Sequence, residues 1–345
     1  MGDGLPLDLG GVKSVRLLWI GRLGDIVVTS PFFAALRAKL PSARIRLVSG
    51  EGGAGVARLC PGLDEVAVLR RWHHPLANLR LAAGLMAADD DLLIDLNSSY
   101  SRSSCALALL SRAPMKLAFS RGRGDGIFTH LIAAPAETEH MLDRYGRLAA
   151  ALGAPYEPRP RVQVHAWDME AADRLLRALA LPGGKLLVGV HPGNFKKFDN
   201  RWPEEKFVEL GGRLQARKDV SLVFLAGPGE EVPVRAIASK LKRPAPVLVS
   251  PSVAVAAGLL SRLSLFVGNA TGTAHLAAAV GTPTFCLLAR YTKTVWMPRA
   301  GAGRNHEIVS DSWRSCRDIP VETAWKALED ALADLSRGDG TAPAV

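Results

Sequence analysis

The chain has 345 residues, 48% of them hydrophobic and 22% charged, which excludes a disordered or collagen-like polymer and suits about two globular domains. A net charge of +10 points to an anionic partner, yet no RNP, zinc-finger or helix-turn-helix pattern accompanies it, so no nucleic-acid partner is expected. The opening "MGDGLPLDLGG" lacks the basic segment and apolar run of a secretory signal, so a cytoplasmic protein is expected.

Strands and helices alternate along the first half. "VRLLWI" (15–20), "RIRLVSG" (44–50), "EVAVLR" (65–70) and "LLIDLN" (92–97) read as strands. Between the first two lies "SPFFAALRAKLP", which predicts a helix with Ser30 as N-cap, Pro31 at its first position and Phe32, Phe33, Leu36 and Leu40 on its buried side. The proline-rich "GAPYEPRPRVQV" (153–164) reads as a stiff linker.

The alternation then restarts. "KLLVGVHPG" (185–193), "SLVFLAGPGEE" (221–231), "PVLVS" (246–250), "LSLFVGN" (263–269) and "TPTFCLL" (282–288) read as strands with their following turns. Helices are expected at "WPEEKFVELGGRLQAR" (202–217), with Glu204 and Glu205 in its first turn, at "TAHLAAAV" (273–280) and at "VETAWKALEDALADLSR" (321–337). A Gly, Pro and Ala tail without predicted structure follows. Repeated strand–helix units imply parallel sheets covered on both faces, and ligands of such sheets bind at the carboxyl ends of the strands.

Three stretches are set aside. The uncharged run 263–289 is long enough to span a bilayer, but its glycines, threonines, Asn269, His275 and Pro283 suit strand, loop and helix instead. Cys60, Cys105, Cys286 and Cys316 have no metal-type spacing and are expected as reduced, mostly buried thiols. Asp89, Asp90 and Asp91 invite a metal reading, but they precede their strand and so are expected in a solvated turn; the His73–His74 pair is expected at the surface.

Four stretches follow strands and carry chemistry. "GNATGTAH" (268–275) opens a helix whose unpaired N–H groups, with the hydroxyls of Thr271 and Thr273 and the small Gly272, suit a phosphate or diphosphate; the same residues suit an ordinary capped helix, and the motif alone does not separate the two. "HPGNFKKFDNRWP" (191–203) carries Lys196, Lys197 and Arg201, suited to a phosphate or to solvent. In "AGPGEE" (226–231) Glu230 suits a ribose hydroxyl or a plain acidic turn. Asp25, in "RLLWIGRLGDIVVTSPFFAAL" (16–36), sits after Gly24 at the end of the first strand, where a carboxylate either takes a proton from a hydroxyl or caps a helix. The absence of GxGxxG after the first strand disfavours a dinucleotide-dependent dehydrogenase.

In this order and spacing, "IGRLGDIVVTSPFFAALRAKLPSARI", "HMLDRYGRLAAALG" (140–153), "HPG", "RWPEEKFVEL", "AGPGEE" and "VGNATGTAHLAAAVGTPTF" resemble the lipopolysaccharide heptosyltransferases, glycosyltransferase family 9. The resemblance implies an α/β fold of GT-B type, two doubly wound Rossmann-like domains facing each other across a cleft. The expected boundaries are 1–158 for an acceptor-side domain, 159–322 for a nucleotide-sugar domain and 323–345 for a C-terminal helix and tail. It implies inverting, metal-independent and cofactor-free transfer of a sugar, with ADP-heptose the expected donor, onto the lipopolysaccharide inner core. Asp25 is then the general base. Asn194, Lys196, Lys197, Glu230, Thr271, Gly272, Thr273 and His275 are expected at the donor, and Gly24, Asn97, Arg102, Arg121 and Arg123 at an anionic glycolipid acceptor. Peripheral contact with the cytoplasmic face of the inner membrane follows from that acceptor. The chain departs from the family at Ala270, where an acid is usual, and at Asn200, where a lysine is usual. A catalytically silent sugar-nucleotide or glycolipid binding protein on the same scaffold is the alternative, and an epimerase on that scaffold would want further carboxylates.

Overall fold

Two parallel six-stranded sheets organise the computed structural model, which describes residues 6–71, 73–179, 181, 186–193, 201–299 and 305–337. The chain divides into a unit of Met1–Val162 and a unit of Gln163–Val345.

The first unit holds β1 (Ser14–Trp19), β2 (Arg44–Gly50), β3 (Glu65–Leu69), β4 (Leu92–Asp95), β5 (Met115–Phe119) and β6 (His130–Ile132), in the spatial order β3-β2-β1-β4-β5-β6. Side chains alternate across the central strands, so Leu17 and Leu18 are both fully buried, on opposite faces of β1. Helices α3 (Pro75–Ala87) and α4 (Arg102–Leu110) cover the face that carries Leu18, Val48 and Leu93, and contribute Leu85 and Leu107 to that core. Helix α1 (Leu23–Lys39) packs with α2 (Glu51–Ala57) and α5 (Met141–Ala151).

The second unit begins with α6 (Ala166–Ala178) and contains β7 (Leu186–His191), α7 (Glu204–Ala216), β8 (Val220–Ala226), α8 (Glu231–Ser239), β9 (Val247–Val249), α9 (Val253–Ser261), β10 (Leu265–Asn269), α10 (Gly272–Ala279), β11 (Thr284–Leu288), α11 (Arg290–Trp296), β12 (Asn305–Val309) and α12 (Val321–Ser336). Its strand order is β12-β11-β10-β7-β8-β9. Counted from its own first strand, this is the order of the first unit. In each sheet the direction of winding reverses between the first and fourth strands, β1 with β4 and β7 with β10, and loops leaving those strands diverge to leave a crevice.

The observed division falls at 162/163, and α12 is part of the second unit's core, where Ala324, Leu328, Ala331 and Leu332 pack with Phe207 and Phe224. Helix α1 starts at Leu23 rather than at Ser30, because Ile26, Val27 and Val28 are buried and that burial outweighs the extended preference of a β-branched run. Pro31 therefore lies inside the helix and leaves Val27 O without its usual N–H donor; the Ser30 hydroxyl donates to that oxygen instead, at 2.7 Å. Ser30 Oγ in turn accepts from Arg161 N at 2.9 Å, which ties the end of the first unit to α1.

Asp89 is exposed as expected, but Asp90 and Asp91 are not left to solvent. Asp90 is 3% exposed and pairs with Arg16 at 3.0 Å and Arg46 at 2.5 Å, while Asp91 Oδ2 accepts from Lys13 N and Ser14 N at the start of β1. Charges this deep persist only when paired, and the two arginines on the neighbouring strands supply the pairing. His73 and His74 are exposed. All four cysteines are buried thiols outside any disulfide; burial pushes the Cys60, Cys286 and Cys316 thiols up to about 12, so they stay protonated. Among the described residues no helix is long and apolar enough to cross a membrane.

Candidate active site

In the first unit the crevice is lined by the end of β1 and the end of β4. The chain leaves Trp19, turns through Ile20 and Gly21, and enters α1 with Arg22 as N-cap. Asp25, half-buried, is the third residue of the first turn, and its Oδ2 accepts from Arg22 N at 2.6 Å in a capping box. Gly21 makes this turn possible, since a Cβ there would lie 2.8 Å from Asp25 Cβ and 3.1 Å from the Trp19 ring. Below the turn, the Trp19 indole donates to Thr29 Oγ1 at 2.9 Å and the Thr29 hydroxyl donates to Asp25 O at 2.7 Å. Burial raises the pKa of the Tyr145 phenol from α5, the Thr29 hydroxyl opposes that shift and the Asp25 charge adds to it. The backbone under Asp25 is thus held by side chains from β1 and α1. Gly24 is half-buried beside it.

At the end of β4, Asp95 Oδ1 accepts from Asn97 N at 3.1 Å and from Asn97 Nδ2 at 2.6 Å, and Asn97 Nδ2 also donates to Ser104 Oγ at 3.1 Å. Asp95 Oδ2 pairs with Arg121 Nη1 at 2.8 Å, and both side chains are almost wholly shielded from solvent, at 0% and 1% exposure. Arg121 Nη1 also donates to Asn97 O at 3.3 Å. Its guanidinium carbon lies 5.1 Å from the centre of the Phe128 ring, and its Nε and Nη2 make no hydrogen bond among the described residues. Arg121 and Asn97 therefore belong to one buried network rather than to the solvated surface. Arg123 and Arg102 are exposed, Arg123 stacking over Tyr100 at 4.5 Å. The turn that carries both loop arginines is gathered by Asp125, which accepts from Ser120 Oγ, Arg121 N and Gly122 N. Burial alone would raise the Asp125 pKa, but these hydrogen bonds and the Arg121 charge outweigh it and hold the carboxyl below its ordinary value of 3.8.

In the second unit the matching crevice lies between the ends of β7 and β10. His191 closes β7 and is 2% exposed; its Nε2 meets Glu230 Oε2 at 3.0 Å, and the same oxygen accepts from Gly227 N at 2.9 Å. Glu230, the half-buried N-cap of α8, is thereby drawn to the β7 end. A side chain at position 193 would strike the His191 ring, its Cβ falling 2.1 Å from Cε1, which explains the glycine of "HPG".

Asn269 ends β10 and braces the loop on both sides. Its Nδ2 donates to Pro192 O and Gly193 O, each at 3.3 Å, while its Oδ1 accepts from Trp202 N at 3.1 Å. Trp202 is fully buried, packed edge-on against Phe207 and bonded through Nε1 to Ile319 O at 2.9 Å. Neither Asn269 nor Trp202 is among the site residues expected from the sequence, although an amide after a strand and a tryptophan before a helix-starting proline signal them.

Helix α10 starts with Thr271 as N-cap and half-buried Gly272 and Thr273 in its first turn. Thr271 uses no side-chain cap, and its buried Oγ1 makes no hydrogen bond among the described residues. His275 is 6% exposed and lies edge-on to Trp296. Ala270, half-buried, stands between β10 and α10 and offers no carboxylate. Asn194, Lys196, Lys197 and Asn200 lie outside the described residues, as does the tail after 337. Among the described residues no group of three His, Cys, Asp or Glu side chains has the arrangement of a metal site.

Two parallel doubly wound units of one strand order form the architecture of the GT-B glycosyltransferases. The family model for glycosyltransferase family 9 (heptosyltransferase) matches residues 78–318, well over half of the chain, and the chain belongs to that family. Lipopolysaccharide heptosyltransferase 3 of Escherichia coli is 24% identical over 302 residues, 80% of this chain and 82% of its own. Two solved structures share the fold. A family 9 glycosyltransferase from Veillonella parvula superposes with a TM-score of 0.81 at 20% identity, covering 93% of this chain and 97% of its own. The ADP-heptose lipopolysaccharide heptosyltransferase II of E. coli superposes at 0.77 and 18% identity, covering 94% and 99%.

Proposed function

We propose that this glycosyltransferase moves heptose from ADP-heptose onto the lipopolysaccharide inner core with inversion, Asp25 acting as general base. The observation that carries the reading is a chemical asymmetry between two crevices of the same topology. At the reversal point of the first unit stands a carboxylate, Asp25, and at that of the second stands a helix start with a hydroxyl that bonds nothing among the described residues.

In this mechanism the acceptor hydroxyl gives its proton to the Asp25 carboxylate as its oxygen attacks the anomeric carbon on the side opposite the diphosphate. The bond from that carbon to the diphosphate oxygen breaks, and ADP leaves with the negative charge. N–H groups of the α10 first turn, with Thr271, Gly272 and Thr273, receive the growing charge, and His275 supports that turn from behind. Glu230, steadied by His191 and Gly227 N, accepts from the ribose hydroxyls. Lys196 and Lys197 neutralise the phosphates and Asn194 adds a polar contact. Gly24 and Asn97 border the acceptor hydroxyl, Arg102 and Arg123 meet acceptor phosphates or carboxylates, and Arg121 holds the loop that presents them. The donor follows from the name of the E. coli relative; the charge of +10 suits an anionic glycolipid acceptor and peripheral contact with the inner membrane from the cytoplasmic side.

Asp25→Asn tests this directly, because asparagine keeps an oxygen for Arg22 N and so spares the cap. Sugar transfer is expected to fall by roughly a hundred- to ten-thousand-fold while ADP binding to the second unit is unchanged. Unchanged turnover removes Asp25 as the base. Ala270 favours one rival, a binding protein without catalysis; release of ADP from donor in the presence of acceptor rejects it.

A further inference from the structure

Helix α3 is apolar on two opposite sides. Leu81 and Leu85 turn inward to the first unit's core, while Leu76, Leu79 and Met86, aligned along one helical face with Ala83, are 71%, 64% and 52% exposed. Leu109 on α4, which packs beside α3 over the same sheet face, adds a side chain that is 66% exposed. Single exposed leucines are ordinary, whereas four large apolar side chains on adjacent helices mark a contact surface.

The surrounding charges select the partner. Arg80 on α3 and Arg112 just beyond α4 are both exposed. The acids of the neighbouring run are occupied elsewhere: Asp90 is buried with Arg16 and Arg46, and Asp91 holds the start of β1, which leaves Asp89 as the exposed acid of that run. Aliphatic side chains ringed by guanidinium groups match a lipid surface, where the apolar groups enter the acyl boundary and the arginines meet lipid phosphates. Protein interfaces are enriched instead in aromatic anchors, and the described residues of this patch include none.

We propose that the outer face of α3 and α4 docks the protein on the surface of a bilayer containing anionic lipid. The docking rests on the reading of a lipid-linked acceptor, since an enzyme held at the headgroups meets an acceptor confined to the same plane. It deepens that reading by naming the surface involved.

The test is co-sedimentation of the full chain with phosphatidylcholine vesicles, with and without phosphatidylglycerol. Wild type is expected to bind the anionic vesicles, and to release as salt rises. The triple variant Leu76→Gln, Leu79→Gln, Met86→Gln should bind at least tenfold more weakly with an unchanged melting temperature, all three positions being exposed. Arg80→Gln with Arg112→Gln should remove the preference for anionic lipid. Equal vesicle binding by wild type and triple variant overturns the proposal, as does no binding by wild type. A wild-type dimer in analytical ultracentrifugation that the triple variant converts to monomer also overturns it, in favour of a protein interface. Transfer to a delipidated acceptor, read on the same variants, is expected to stay at the wild-type level; failure of wild type in that assay would sink the transferase reading while leaving the vesicle result to stand alone.

Discussion

The two crevices of this protein share a strand order and differ in what holds them open. In the first unit the end of β4 is fastened by a buried ion pair, Asp95 with Arg121, that also collects Asn97. In the second the end of β10 is fastened by a neutral amide, Asn269, that bridges residues 192, 193 and 202. On the proposed mechanism, the charged brace lies in the unit that supplies the carboxylate to the acceptor. On the same mechanism, the neutral brace adds no negative charge beside the α10 start, whose positive end receives the leaving diphosphate.

Removing the charged brace should have the largest effect on stability. Asp95→Ala strands the Arg121 guanidinium in the interior, and a loss of about 3–5 kcal/mol is expected in chemical denaturation. Asn269→Ala leaves Trp202 N and two carbonyls without a partner, for a smaller loss of about 1–3 kcal/mol, together with weaker ADP binding measured by titration calorimetry. The reverse order of the two would break the comparison.

A pH effect sharpens it further. The Asp125 carboxyl titrates below its ordinary 3.8 in the folded state, so the stability it adds is fully present above that value and is lost as pH falls through the lowered one. Asp125→Asn should therefore melt earlier than wild type at neutral pH, and the gap should close on acidification below about pH 4. A gap that persists at low pH would mean that Asp125 acts through shape rather than charge. The second unit's crevice, braced by an amide, should show no such dependence when Asn269→Ala is compared with wild type over the same range.

The smallest effect belongs to the exposed pair Arg44–Glu65, with side chains 62% and 48% exposed. Glu65→Gln should change stability by less than about 1 kcal/mol, because solvent already screens both charges. It serves as the baseline for the other three.

Period and punctuation along the chain were enough to establish the alternation of strand and helix, the two sheets, the burial of Phe32, Phe33 and Leu36, and the position of Asp25 and Thr271 after strands. These are local properties: a strand's apolar run or a glycine-marked turn is written in neighbouring residues. What the tertiary structure alone decided is where polar groups find partners far along the chain. Asp90 reads from the sequence as part of a solvated turn, yet Arg16 and Arg46 reach it from other strands, and Arg121, expected at an anionic acceptor, lies 2.8 Å from the buried Asp95. Helix α1 reached back to Leu23 for the same reason: burial of Ile26 and Val27 by elements distant in sequence outweighed their intrinsic preference for strand. Pairing and burial depend on the folded neighbourhood, and a single sequence records the residues but not which of them meet.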